Sequence, residues 1–205
     1  MQHFPHEMPI VAILRGIRPD EIIEVAGALY DAGIRAIEVP LNSPDPYDSI
    51  SRLCTEFGEK CLCGAGTVLM PDQVDLVAKA GGRLIVSPDS NAEVIRRAVE
   101  LGLVPAPGFA TPTEAFAAIR AGAKILKLFP AAAYGTGYLK ALREVLPGDV
   151  SVLAVGGVGP AEMKEWLAAG AAGFGVGGTL YKPGRPVAEI AERAAALVAA
   201  YRAAV

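Results

Sequence analysis

Two charged residues lie inside apolar runs, where a charge is costly unless it is paired or used. Lys127 sits in Ile125-Leu126-Lys127-Leu128-Phe129, and Glu38 is the single charge of Ala36-Ile37-Glu38-Val39-Pro40-Leu41. Desolvation disfavours the ammonium form of a buried lysine and lowers its pKa. A neutral amine is the nucleophile that attacks a carbonyl carbon and forms a Schiff base. A carboxyl group facing that amine suits general acid/base work at the neighbouring carbon. Together they are the minimum equipment for imine-based carbon–carbon chemistry. The competing reading is a structural Lys–Glu ion pair plugging an apolar interior. Such a pair adds little stability, because desolvation can exceed the Coulomb gain.

Glu38 follows Gly33, and Lys127 follows Gly122, by the same five positions. Those glycines belong to a repeat. An amphipathic stretch, a small residue, Gly, a short spacer and an apolar run recur along the chain, with Gly33, Gly58, Gly81, Gly102, Gly122, Gly148 and Gly170 at the joint. Glycine just past a helix supplies the left-handed position that other residues resist. A strand a few residues later is the short helix-to-strand connection of alternating folds. The opposite connection is also readable. RPDEIIEV, MPDQVDLV, SNAEVIRR and TPTEAFAA each set a helix-start residue before an acidic first turn.

Counting units predicts strands near 10–14, 36–40, 61–66, 84–87, 104–108, 125–129, 152–156 and 174–178, each followed by a helix. Eight such units predict an α/β fold, a minimal (β/α)8 TIM barrel, with residues 1–205 forming a single domain. A doubly wound open sheet is the runner-up. Its G-x-G-x-x-G fingerprint is missing after the first strand, which reads LRGIRPDE. In the barrel, strand alternation puts Ile37, Val39, Leu41, Leu126 and Leu128 under the helices and turns Glu38 and Lys127 inward. They come from the second and sixth strands, which face each other across a ring of eight.

The other strand ends carry weaker signals. Arg15 follows the first strand, and its fork of donors suits a carboxylate or a phosphate. Gly64-Ala65-Gly66-Thr67 follows the third, where small residues allow close backbone approach and Thr67 adds a hydroxyl. Each has a plain alternative, a rim arginine or a tight turn. The seventh strand closes on Val155-Gly156-Gly157-Val158-Gly159 and the eighth on Gly177-Gly178-Thr179. Backbone N–H groups at these two strand ends, with a helix N-terminus nearby, form the phosphate site of such barrels.

Composition agrees with a globular chain. The 205 residues are 52% hydrophobic and 20% charged, with a net charge of −3. That excludes a disordered chain and gives no reason to expect nucleic acid or an anionic membrane as partner. No apolar run reaches the roughly 18 residues of a membrane span. The start, MQHFPHEMPIVAILRG, lacks the basic region of a signal peptide, so a cytoplasmic protein is expected. Cys54, Cys61 and Cys63 make no disulfide framework. Cys61 and Cys63 read as small buried hydrophobes on one strand face. The histidines are His3 and His6, both near the terminus and expected to be solvated, so no interior histidine is available to a metal. Neither a metal nor a cofactor is expected.

The segments AILRGI, AIEVPLNSP, GAGTV, LKLFPA and AVGGV, in this order and spacing, resemble the pyruvate-dependent class I aldolases of 2-keto-3-deoxy-6-phospho sugar acids. The likeness runs from about Pro9 to about Tyr201. It implies that Lys127 forms the Schiff base and Glu38 is the general acid/base. It implies that Arg15 and Thr67 bind substrate and that Gly156, Gly157, Gly177, Gly178 and Thr179 lie near its phosphate. It also implies a metal-independent lyase, pyruvate and glyceraldehyde 3-phosphate as products, and a homotrimer. The family's gluconate branch has Arg four residues after the acid and Thr before the double glycine. This chain has Asn42 and Val155 there, as in the galactonate branch, whereas Gly178-Thr179 is closer to the gluconate pattern. The alternatives are the epimeric gluconate substrate and a non-catalytic barrel that binds a phosphorylated ligand.

Overall fold

The structure, a computed structural model, describes residues 8–205; His3 and His6 lie outside them. Its strands are β1 (Ile10–Ile13), β2 (Ala36–Pro40), β3 (Leu62–Gly66), β4 (Leu84–Val86), β5 (Val104–Ala106), β6 (Gly108–Phe109), β7 (Ile125–Leu128), β8 (Ser151–Val155) and β9 (Gly173–Val176). Its helices are α1 (Ile22–Ala32), α2 (Pro46–Phe57), α3 (Pro71–Lys79), α4 (Ala92–Glu100), α5 (Pro112–Arg120), α6 (Ala131–Arg143), α7 (Met163–Ala168) and α8 (Val187–Ala204). The paired strands are parallel, in the order β5-β4-β3-β2-β1-β9-β8-β7-β6.

The fold is the expected (β/α)8 barrel, with one difference in the strand count. Among the described residues there are nine segments because the fifth barrel strand breaks at Pro107, which has no N–H to give to a ladder. The break does not open the ring. The Lys127 N–H donates to the Pro107 carbonyl at 2.8 Å and the Phe129 N–H to the Phe109 carbonyl at 3.1 Å. The sixth, seventh and eighth barrel strands are therefore β7, β8 and β9.

The helix ends follow the glycine repeat in most units. Gly33, Gly81, Gly102, Gly122 and Gly170 adopt left-handed φ between 70° and 111°. Gly58 differs: it stays right-handed at φ −60°. Gly148 is not left-handed either. At the other end, Thr111 and Glu114 cap α5 reciprocally, and the Asn91 side chain accepts the Glu93 N–H at 2.9 Å to start α4.

The core has two layers. Between barrel and helices pack Ile37, Val39, Leu126, Leu128, Cys61 and Cys63, among many others. Inside the ring is a smaller cluster that includes Val11, Ala36, Leu62, Leu84, Ile125 and Leu153. Alternation along each strand sorts residues between the two layers. No helix among the described residues is long and apolar enough to cross a membrane.

Candidate active site

Glu38 and Lys127 occupy the inner layer, as the alternation predicts. They are 2% and 8% exposed, and they line one narrow pit with Val11, Ile13, Val86, Ala106 and Leu153. No ion pair joins them, and among the described residues Glu38 Oε2 is buried without a hydrogen-bond partner. That disagrees with a structural plug, whose stability would need the pair closed and its lone pairs satisfied. Burial pushes the Glu38 carboxyl up to about 7, against the opposing pull of Lys127 and Arg15. Burial also moves the Lys127 amine down from its ordinary value; Glu38 opposes that shift and Arg15 reinforces it. Both shifts favour the neutral forms that imine chemistry uses. The Phe129 ring walls the site, with Lys127 Nζ 4.7 Å from its centroid.

The glycine at the end of β3 has a specific purpose. A Cβ on Gly66 would overlap the Glu38 carboxyl group, so only glycine leaves that group its position. The small residues of this segment predict a close approach to its backbone, without saying by what. The carboxyl of the neighbouring strand is the answer.

Arg15 and Thr67 come together on the barrel rim. Arg15 Nη1 donates to Asn42 Oδ1 at 2.6 Å and to Thr67 Oγ1 at 3.4 Å. Thr67 has φ 56°, a left-handed conformation that a β-branched residue adopts only under constraint. The Gly16 N–H donates to Ser43 Oγ at 2.9 Å, tying the loop after β1 to the loop after β2. Asn42 had appeared in the sequence only as a branch marker; its contact shows that it also aims Arg15.

Gly156, Gly157, Gly177, Gly178 and Thr179 line one cleft of about 660 Å³ above β8 and β9, together with Arg15 and Phe129. Gly156 and Gly157 take φ 95° and 76°, which other residues resist. The cleft and the pit share Ile13, Val155 and Gly175, so one leads into the other. The expected helix N-terminus is instead a single turn: the Leu180 and Tyr181 N–H groups donate to the Gly177 carbonyl at 2.8 and 2.9 Å. The helix proper begins only at Val187. Sequence reasoning missed Lys182, an exposed cation on the cleft wall. Its signal was available, as a cation four residues beyond Gly178 in Gly178-Thr179-Leu180-Tyr181-Lys182. It also missed Gly175, whose lack of a side chain keeps space beside Val155. Among the described residues, no group of three or more His, Cys, Asp or Glu side chains is placed to hold a metal ion.

Comparison with known proteins decides the family. The model of the family described as "Aldolase: KDPG and KHG aldolase" matches residues 2–191. The chain belongs to the KDPG and KHG aldolase family. Within the family it is 53% identical over 199 residues to "2-dehydro-3-deoxy-6-phosphogalactonate aldolase" of Escherichia coli (strain K12), covering 97% of each chain. To the "KHG/KDPG aldolase" of the same organism it is 32% identical over 163 residues, 78% of this chain and 75% of that one. Among solved structures, "Native KDPGal structure" superposes with a TM-score of 0.97 at 52% identity, covering all of this chain and 98% of the other. This is a class I aldolase, a carbon–carbon lyase, on a barrel of the family's type.

Proposed function

We propose that the protein cleaves 2-dehydro-3-deoxy-6-phospho-D-galactonate to pyruvate and D-glyceraldehyde 3-phosphate, with Lys127 as the Schiff-base residue and Glu38 as the general acid/base. One observation carries the assignment: a buried amine and a buried acid share one pit without pairing, at the foot of a cleft edged by glycine loops. Lys127 Nζ attacks the C2 carbonyl, and the carbinolamine loses water with a proton from Glu38, leaving a protonated imine and the Glu38 carboxylate. The C4 hydroxyl proton passes to Glu38 as the C3–C4 bond breaks, and that bond's electrons flow into the iminium to form an enamine. Glyceraldehyde 3-phosphate departs. Glu38 returns a proton to C3, and water hydrolyses the imine to pyruvate and free Lys127. The iminium supplies the electrophilic activation, so the sequence needs no metal.

Arg15 and Thr67, held together with Asn42, bind substrate oxygens at the rim. Gly156, Gly157, Gly177, Gly178 and Thr179 offer donors to the distal phosphate, and Lys182 adds a charge beside them. Binding energy at that remote group is then used to orient the scissile bond. The galactonate epimer is favoured over the gluconate epimer by Asn42, by Val155 and by the higher identity to the galactonate relative. The whole chain acts as one barrel domain, assembled as a homotrimer in the cytoplasm, as the likeness to the family suggests. Pyruvate release from the two epimeric acids tests the assignment. We expect a kcat/KM at least about 10-fold higher for the galactonate acid, the discrimination that about 1.4 kcal/mol supplies. Equal rates would contradict the branch, and no pyruvate from either acid would contradict the function.

A further inference from the structure

We propose that Arg185 is a positioning residue that sets the shape of the phosphate-binding turn from behind, with Arg193 and Glu189 completing the clamp. The proposal rests on the reading that the turn after β9 binds a phosphate. Arg185 Nη1 donates to three successive carbonyls, those of Gly178 at 3.4 Å, Thr179 at 3.2 Å and Leu180 at 2.6 Å. Arg193 Nη1 donates to the Thr179 carbonyl as well, at 3.0 Å. Glu189 Oε1 lies between the two guanidinium groups, 3.3 Å from Arg185 Nε and 2.8 Å from Arg193 Nη2. Only 11% of the Arg185 side chain is exposed.

The geometry of the peptide unit turns this clamp into a statement about the site. The unit is planar and trans, so its carbonyl and its N–H point in opposite directions. Drawing the Gly178 carbonyl outward aims the Thr179 N–H the other way. The Gly177 carbonyl is likewise engaged, by the Leu180 and Tyr181 N–H groups, which aims the Gly178 N–H away from it. Among the described residues the N–H groups of Gly178 and Thr179 have no protein acceptor, and both residues line the cleft. Arg185, Arg193 and Glu189 are not among the residues lining that cleft. A glycine-containing turn is permissive; a guanidinium with a fixed fork of donors removes that freedom. The clamp therefore presents two donors to an anion it never touches.

The test compares Arg185→Met, Arg185→Lys and Arg193→Met with the wild type, using the phosphorylated keto-acid substrate and inorganic phosphate as a competing anion. Arg185→Met is expected to raise KM for the substrate and Ki for inorganic phosphate together, by about 10- to 100-fold, the worth of one or two hydrogen bonds from a charged group. Arg185→Lys recovers part of that loss, and Arg193→Met, which removes one of the bonds, shows a smaller shift. Borohydride trapping of pyruvate on Lys127, which involves no phosphate, keeps its wild-type yield in all three; that yield also reports that the barrel is folded. Unchanged KM and Ki in Arg185→Met overturn the proposal. A fall in trapping parallel to the loss of phosphate affinity also overturns it, because Arg185 would then be a general support of the fold. A wild-type enzyme indifferent to inorganic phosphate overturns the phosphate reading of the turn, and the clamp's role with it.

Discussion

Glu38 carries its proton in the folded protein at pH values where an ordinary carboxyl has lost it. Its pKa rises from 4.5 to about 7 because the carboxylate form is desolvated. A raised folded-state pKa has a definite sign in stability. Between about pH 4.5 and pH 7 the folded chain holds a proton that the unfolded chain releases, so this group's contribution falls as pH rises through that window. The deficit above pH 7 is on the order of 3 kcal/mol, from the shift at 1.36 kcal/mol per pKa unit. Glu38→Gln removes the titration. We expect urea unfolding to show the variant gaining stability relative to wild type between pH 5 and pH 8. A difference that is the same at both pH values would contradict the buried, unpaired state of Glu38. The same variant should still trap pyruvate while exchanging its methyl protons slowly, because enamine protonation has lost its acid.

At the scale of elements, β3 decides where β2 can keep its acid. Gly66 is the close neighbour of the Glu38 carboxyl, and Gly66→Ala places a methyl group where that carboxyl stands. We expect kcat to fall by about 100-fold, the cost of moving a catalytic group by roughly an ångström, with the barrel still folded by circular dichroism. Unchanged kcat would show that Glu38 has room to spare. Much of this was legible in the sequence. The glycine repeat located every barrel strand after the first, and period-two alternation sorted Ile37 and Val39 from Glu38, and Leu126 and Leu128 from Lys127. Those signals are local, since each rests on a few adjacent residues. What was hidden involves residues far apart in the chain. Pro107 breaks a strand without breaking the ring because its carbonyl meets the Lys127 N–H. Asn42 reaches Arg15 across two loops. No period or motif encodes such pairings.

For the whole molecule, the barrel holds the pit and the cleft side by side, joined through Ile13, Val155 and Gly175. The chemistry needs both. Substrate lacking the 6-phosphate should therefore lose kcat/KM on the order of 1,000-fold, the worth of two or so hydrogen bonds to a charged group. Steady-state assays with matched acids check this, and equal efficiency would remove the cleft from the mechanism. The proposed chemistry turns on one bond, between Lys127 Nζ and C2 of a keto acid. Borohydride reduction in the presence of pyruvate, followed by peptide mass mapping, measures it. We expect a reduced pyruvate adduct on Lys127 in the wild type and none in Lys127→Ala. An adduct on another lysine, or equal labelling of the variant, would contradict it.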